Sequence, residues 1–260
     1  MSRFDTMNTI SQVLELRRSN TVFKAALCFT RSSLDGLQQL PQDYLHSKEI
    51  QYVQSIENFP KRKLNYLLGR YCSKEAIKTL EPEIPKESIF IESGIFQHPI
   101  VHYPGHNKLQ VSISHSDPLG VAIAFPEAHP MGIDLEEIQI EIDKIKAIEE
   151  QLTSEEVKII NSSLEQETEM YYLLFWAIKE ALSKILRTGL MTPAHVYEIT
   201  SLSFNQDHWV SYFKNFEQYK AISFKLSNWV CSIALPKNTE CNIDVLDIQK
   251  WISDGVKSGV

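Results

Sequence analysis

Two short runs hold the side chains best suited to gripping a divalent cation against a phosphate. GIDLE, residues 132–136, carries Asp134 and Glu136, and FWAIKEALSKILRTGL, residues 175–190, carries Glu180 and Lys184. Carboxylate oxygens suit Mg2+ or Mn2+, which keep coordination positions for water and a substrate phosphate. Strand alternation puts Asp134 and Glu136 on one face and Ile133 and Leu135 on the other. On a helix, Trp176, Glu180 and Lys184 follow one another at intervals of four and project from neighbouring positions. Taken singly these are ordinary features. An isolated ExxxK is an exposed helix pair worth roughly 0.2–0.5 kcal/mol, and a lone DxE is a solvated strand face. The combination says more, because the acidic strand follows Gly132 directly, is apolar on its other face, and precedes a helix with a third carboxylate.

Two further groups of residues suit an anionic ligand. FPKRKLNYLLGR, residues 59–70, gathers Lys61, Arg62, Lys63 and Arg70 at the start of a helical pattern, either a solvated basic face or an anion site for a phosphate. In LQVSISHS, residues 109–116, Ser112, Ser114 and Ser116 alternate with Val111, Ile113 and His115. A Ser–His hydrolase is disfavoured, since no GxSxG elbow is present and Ser114 and His115 point to opposite strand faces. Hydrogen bonding to a phosphate or nucleotide suits them better, with a purely structural His115 as the plainer alternative.

The elements that must position these residues follow from periodicity. A strand over 25–30 leads into helical patterns around 44–57 and 61–80 and a short strand near 88–91. Asp117-Pro118 separates two β-rich runs and predicts a hairpin over 109–125, with MGIDLEEI as a third strand. Helical stretches follow near 141–150 and 154–163, the second opened by Thr153 or Ser154 with acids in its first turn. A longer helix runs from about 167 to 187, with Gly189 where a left-handed cap is expected. Strands near 196–204, 220–226 and 229–235 complete the pattern. Both halves read strand, helices, strands, about a centre near 125–131, although no sequence repeat at a fixed period is visible. The expectation is an α+β fold of two pseudo-symmetric lobes, 1–128 and 129–260. Each lobe has a small, mainly antiparallel sheet packed on helices, and the two meet at an interface of the kind that often binds ligands.

Composition narrows the field. The chain has 260 residues, 43% hydrophobic and 10% aromatic, enough for a sizeable core. A net charge of −7 argues against a nucleic-acid binder that relies on bulk positive potential. Cys28, Cys72, Cys231 and Cys241 lack zinc or CxxC spacing and read as reduced, packed thiols. No signal-peptide core and no membrane-spanning run is visible, so the expected location is the cytoplasm with no membrane partner. The nine glycines build neither GxGxxG nor GxxxxGK[ST]. Phosphate must then be held by side chains or metal, which demotes P-loop kinases and Rossmann dehydrogenases.

In this order the motifs resemble the 4′-phosphopantetheinyl transferase superfamily, in its larger two-lobed, Sfp-like form. LLGR at 67–70 is similar to the family's N-lobe basic motif, QHP at 97–99 to its G-K-P segment, and SISHS at 112–116 to its serine–histidine motif. GIDLE is similar to its acidic strand, and Trp176-x-x-Lys179-Glu180-Ala181-x-x-Lys184 to its helix signature. The resemblance spans residues 60–200. It implies transfer of 4′-phosphopantetheine from coenzyme A to a serine of an acyl or peptidyl carrier protein, leaving adenosine 3′,5′-bisphosphate. By similarity, Asp134, Glu136 and Glu180 hold Mg2+, with Mn2+ as the alternative, against the pyrophosphate. Lys184 neutralises the departing phosphate, and Glu180 is the candidate base. Lys61, Arg62, Arg70, His98, Ser114, His115 and Lys184 contact coenzyme A, while Glu156 resembles a further acidic position that reaches the metal site through water. His98 stands where the family commonly has lysine, which implies pH-sensitive coenzyme A affinity. Two lobes in one chain imply a monomer. Two other readings remain: another Mg2+-dependent nucleotide phosphotransferase, and an inactive coenzyme A- or carrier-binding module. Retention of all three carboxylates and Lys184 disfavours the inactive module.

Overall fold

β1 (Asn8–Arg18) and β2 (Thr21–Arg31) form a long antiparallel hairpin that turns at Ser19-Asn20. The periodicity reading places no strand before Ala25, and the burial of β1 shows why: only Leu14 and Leu16 on it are fully buried, while Val13 is exposed. The computed structural model describes residues 7–40, 43–105, 108–138, 142–162 and 168–257. Glu141, Ser163 and Glu167, included in the expected helices, lie outside the described residues.

The chain divides into two compact units. One comprises the residues up to His129 together with Cys241–Ile243, and the other Pro130–Glu240 and the residues from Asp244 on. In the first, β2 is followed by α1 (Leu34–Gln38), α2 (Ser47–Ser55) and α3 (Pro60–Leu80). Pro60 opens α3, where its missing N–H costs nothing. A short pair, β3 (Phe90–Ser93) and β4 (Pro99–His102), precedes the hairpin of β5 (Leu109–Ser116) and β6 (Leu119–Pro126), which turns at a cis Asp117-Pro118 peptide. β6 pairs antiparallel with β2. Leu64, Leu67, Leu68, Cys72, Ala76 and Ile77 recur at three- and four-residue intervals along α3 and are buried; Leu64, Leu67 and Leu68 cluster with Leu37 of α1, while Cys72, Ala76 and Ile77 join the core shared with β2, β5 and β6.

The second unit starts with β7 (Gly132–Glu137), followed by α4 (Ile142–Glu149), α5 (Ser154–Ser162) and α6 (Thr168–Leu186). β8 (Ile199–Asn205), β9 (His208–Phe213), β10 (Tyr219–Leu226) and β11 (Trp229–Pro236) then give a five-stranded sheet in the order β7-β11-β10-β9-β8. Cys241, at the end of the two-residue strand β12 (Glu240–Cys241), returns to the first unit, whose sheet has the order β12-β1-β2-β6-β5, and α7 (Val245–Lys257) packs on β10 of the second. β9 and α7 are absent from the periodicity reading. On α6, Leu173, Leu174, Phe175, Ala177, Ile178, Ala181 and Leu182 are all buried, the helix lying between β7, β10 and β11 on one side and α4 and α5 on another. Burying one such Leu, Ile or Phe stabilises the fold by about 1.5–3 kcal/mol. The class is α+β, as expected. In both units the strand before the helices pairs with the last strand of a later hairpin, and the long helix covers that pair. Among the described residues no helix is long and apolar enough to cross a membrane.

Each unit pins its long helix through one buried lysine. In the first, Lys74 on α3 pairs at 2.6 Å with Glu49 on α2 and donates to the carbonyls of Tyr44 and Lys86. Glu49 also accepts from the backbone N–H of His46, which caps α2, and from that of Ile91 on β3. In the second, Lys179 on α6 pairs at 2.7 Å with Glu156 on α5 and donates to the carbonyls of Gln151 and Ala194. Glu156 accepts from the N–H of Thr153, before α5, and of Ile199 on β8. Both lysines open the tripeptide Lys-Glu-Ala, at 74–76 and 179–181. The matched residues are separated by unequal intervals, so a search for a fixed period passes over them.

The cap of α6 is placed differently from the expectation. The N–H of Thr188 bonds to the carbonyl of Ser183 and that of Arg187 to the carbonyl of Lys184, a Schellman motif with Arg187 itself left-handed at φ 55°. Gly189 is also left-handed, but it opens the following 3-10 turn.

Candidate active site

The site in the second unit begins with a close approach of backbone to backbone. A Cβ on Gly132 would lie 2.0 Å from the carbonyl oxygen of Ala181, so only glycine lets β7 run this near α6. Two residues further along β7, Asp134 is 4% exposed. Lys184, one turn beyond Glu180, bonds to Asp134 Oδ1 at 2.8 Å and to the carbonyl of Ile133 at 2.7 Å. Glu136, on the same strand face as Asp134, is half-buried and accepts from Lys144 of α4 at 3.1 Å. Glu180 is half-buried too, and its Oε1 is fully enclosed with no hydrogen-bond partner among the described residues.

The electrostatics tie the three acids together. Burial pushes the Glu180 carboxyl up to about 7; the charge of Asp134 adds to the shift, Lys184 opposes it and Glu136 adds a little more. Burial likewise raises Glu136, with Asp134 next in weight, while Lys144 and Lys184 pull it back. Three carboxylates within electrostatic reach and two ammonium groups, Lys184 and Lys144, make a site one positive charge short. That donor set and the orphaned Glu180 oxygen fit a hard divalent cation. As the side chains stand, however, no three His, Cys, Asp or Glu residues among those described are close enough to hold a metal. Lys184 and Lys144 take up carboxylate oxygens of Asp134 and Glu136 instead.

Glu156, which the resemblance allows to contact the metal site through water, has its direct hydrogen bonds elsewhere. Fully buried, it has both oxygens engaged, by Lys179 and by the N–H groups of Thr153 and Ile199. Its place in a T-x-x-E capping box was legible in the sequence; the Lys179 partner, distant in sequence, was not. The same holds for Lys144 on Glu136 and for the backbone contact at Gly132, which no spacing rule announces.

The other candidate residues belong to the first unit. Lys61 and Arg62 are exposed in the first turn of α3, and Arg62 donates to the hydroxyl of Tyr52 at 2.8 and 3.1 Å. Arg70 is only 8% exposed, with its guanidinium 4.3 Å from the Tyr66 ring centre and its Nε 3.7 Å from Glu49. Its charge is therefore turned into the unit rather than out to solvent. Ser114 is half-buried and His115 exposed on β5. His98 lies in the β3–β4 turn, where its Nδ1 is 2.6 Å from the carbonyl of Ile95 and so carries the proton. Two concavities, of about 480 and 510 Å3, are lined by other residues, Lys24, Glu81 and Lys108 in the first and Glu155, Lys158 and Lys214 in the second.

No curated protein matches the chain. The stretch from residue 130 to 234, which runs from just before β7 into β11 and holds Asp134, Glu136, Glu180 and Lys184, matches the family model of the 4′-phosphopantetheinyl transferase superfamily.

Proposed function

We propose that the protein is a Mg2+-dependent transferase that moves 4′-phosphopantetheine from coenzyme A to a serine hydroxyl of an acyl or peptidyl carrier protein, releasing adenosine 3′,5′-bisphosphate. The observation that carries this reading is the gathering of Asp134, Glu136, Glu180 and Lys184 at the β7–α6 contact, inside the segment similar to the superfamily. Asp134, Glu136 and Glu180 are the residues that would hold the cation. When bound, it supplies charge neutralisation and orientation of the pyrophosphate. Lys184, now on Asp134, is the cation placed to follow negative charge onto the departing phosphate. Glu180 is also the group that takes the proton of the attacking serine, and the cation it would hold lowers its carboxyl from the raised value that burial gives it without the ion. The exposed Lys61, Arg62 and His115, with Ser114, are the anion contacts for coenzyme A; Arg70 contributes a fixed buried charge, and His98 first stabilises its own turn.

The test is incubation with coenzyme A, Mg2+ and an apo carrier domain, followed by intact-mass analysis of the carrier. One added phosphopantetheine is expected, and chelation of the metal abolishes it. Coenzyme A binding with no modification of any of several carrier types would instead assign the protein to the non-catalytic binding modules.

A further inference from the structure

The two units share a pinning device but differ in the glutamate next to the pinning lysine. Beside Lys74, Glu75 is satisfied: it accepts from the hydroxyl of Tyr44 at 2.8 Å and pairs with Lys86. Beside Lys179, Glu180 has an enclosed oxygen with no hydrogen-bond partner among the described residues. β2, the strand under α3, has no carboxylate, whereas β7, under α6, has two that face Glu180. The same clip thus holds a neutralised acid in one unit and an acid available to a ligand in the other.

Consecutive helix residues point about 100° apart, so Lys179 reaches toward α5 and the Ala194 turn while Glu180 reaches toward β7. The β7 side of α6 is held by the Gly132–Ala181 approach and by Lys184. On its other side Lys179 binds Glu156 and two carbonyls from separate segments, with the lysine 2% exposed and the glutamate wholly buried. Held on both sides, α6 cannot roll about its axis without breaking a buried ion pair.

We propose that Lys179, through Glu156, is a positioning residue: the clip sets the rotation of α6 and thereby presents Glu180 to Asp134 and Glu136. This rests on the reading of those carboxylates as a cation site, and it assigns to Glu156 a mechanical role.

The test uses Mn2+ alone, titrated into the full chain and followed by the electron paramagnetic resonance signal of the free ion. Lys179→Met/Glu156→Gln removes both buried charges together; Lys74→Met/Glu49→Gln does the same to the twin clip and serves as the internal control. Both double variants are expected to lower Tm. Only the Lys179/Glu156 variant is expected to weaken Mn2+ binding, by about tenfold or more, as for outer-shell partners of metal ligands, and to lower kcat more than it raises KM for coenzyme A. Should that variant not fold, Glu156→Asp stretches the clip while keeping its charges, and a several-fold weakening of Mn2+ binding is expected. Wild-type Mn2+ affinity in a folded Lys179/Glu156 variant, or equal loss in both double variants, overturns the positioning role. Absence of Mn2+ binding to the wild-type chain overturns the cation-site reading itself, and the positioning role with it.

Discussion

Glu180 is the residue on which chemistry and stability meet. Its carboxyl, ordinarily near 4.5, sits at about 7 in the fold. Between those values the folded chain holds a proton that the unfolded chain has released, so stability falls as pH rises through the window. The full effect is roughly 3 kcal/mol. Glu180→Gln should therefore be as stable as wild type near pH 4.5 and more stable at and above neutrality, a difference read by urea unfolding at a series of pH values in chelator. The same variant should lose phosphopantetheine transfer while keeping its fold, and an unchanged rate would remove Glu180 from the site. His98→Lys tests the other residue-scale expectation. A permanent charge at this position should lower KM for coenzyme A several-fold; an unchanged KM would leave His98 as a turn residue only. Asp134, Glu136, Glu180 and Lys184 were legible because motif spacing exposes them. Lys179 stood in the same motif, but its partner Glu156 lies on another helix, and burial, which decides its role, is invisible in a linear pattern.

At the scale of elements, the distance between β7 and α6 governs whether the acids can act together. Gly132→Ala places a methyl group against a backbone carbonyl that has no rotamer to escape into. The strand must shift, at a cost of about 1–3 kcal/mol, and transfer activity should drop more than the lost stability accounts for. Wild-type activity in this variant would show that the contact is slack. The long helices and the 109–125 hairpin were readable because their apolar residues repeat at one period over many turns or strand residues. β1 was not, since most of its side chains face solvent and only two anchor it. The cap of α6 misled in another way: Gly189 is the natural choice for a left-handed position on sequence grounds, yet the hydrogen bonds put Arg187 there first.

For the molecule as a whole, a net charge of −7 works against long-range attraction to an acidic carrier domain. Raising salt from about 20 to about 200 mM should leave kcat/KM for such a carrier unchanged or increase it. A steep fall would reveal a basic docking patch strong enough to outweigh the net charge. The order of strand, helices and strands in each half was legible from periodicity, whereas the matched lysine–glutamate clips needed three-dimensional contacts, because each pairs a lysine in a recognisable tripeptide with a glutamate on another helix. Those clips leave the molecule with a matched pair of reporters. The amides of Ile91 and Ile199 both donate to fully buried carboxylates, one in each unit, so each exchanges with solvent deuterium only when its own clip opens. Their rates, followed across low denaturant concentrations, count the cooperative pieces of the protein: one shared slope if the chain opens as a single body, two if each half keeps its own stability.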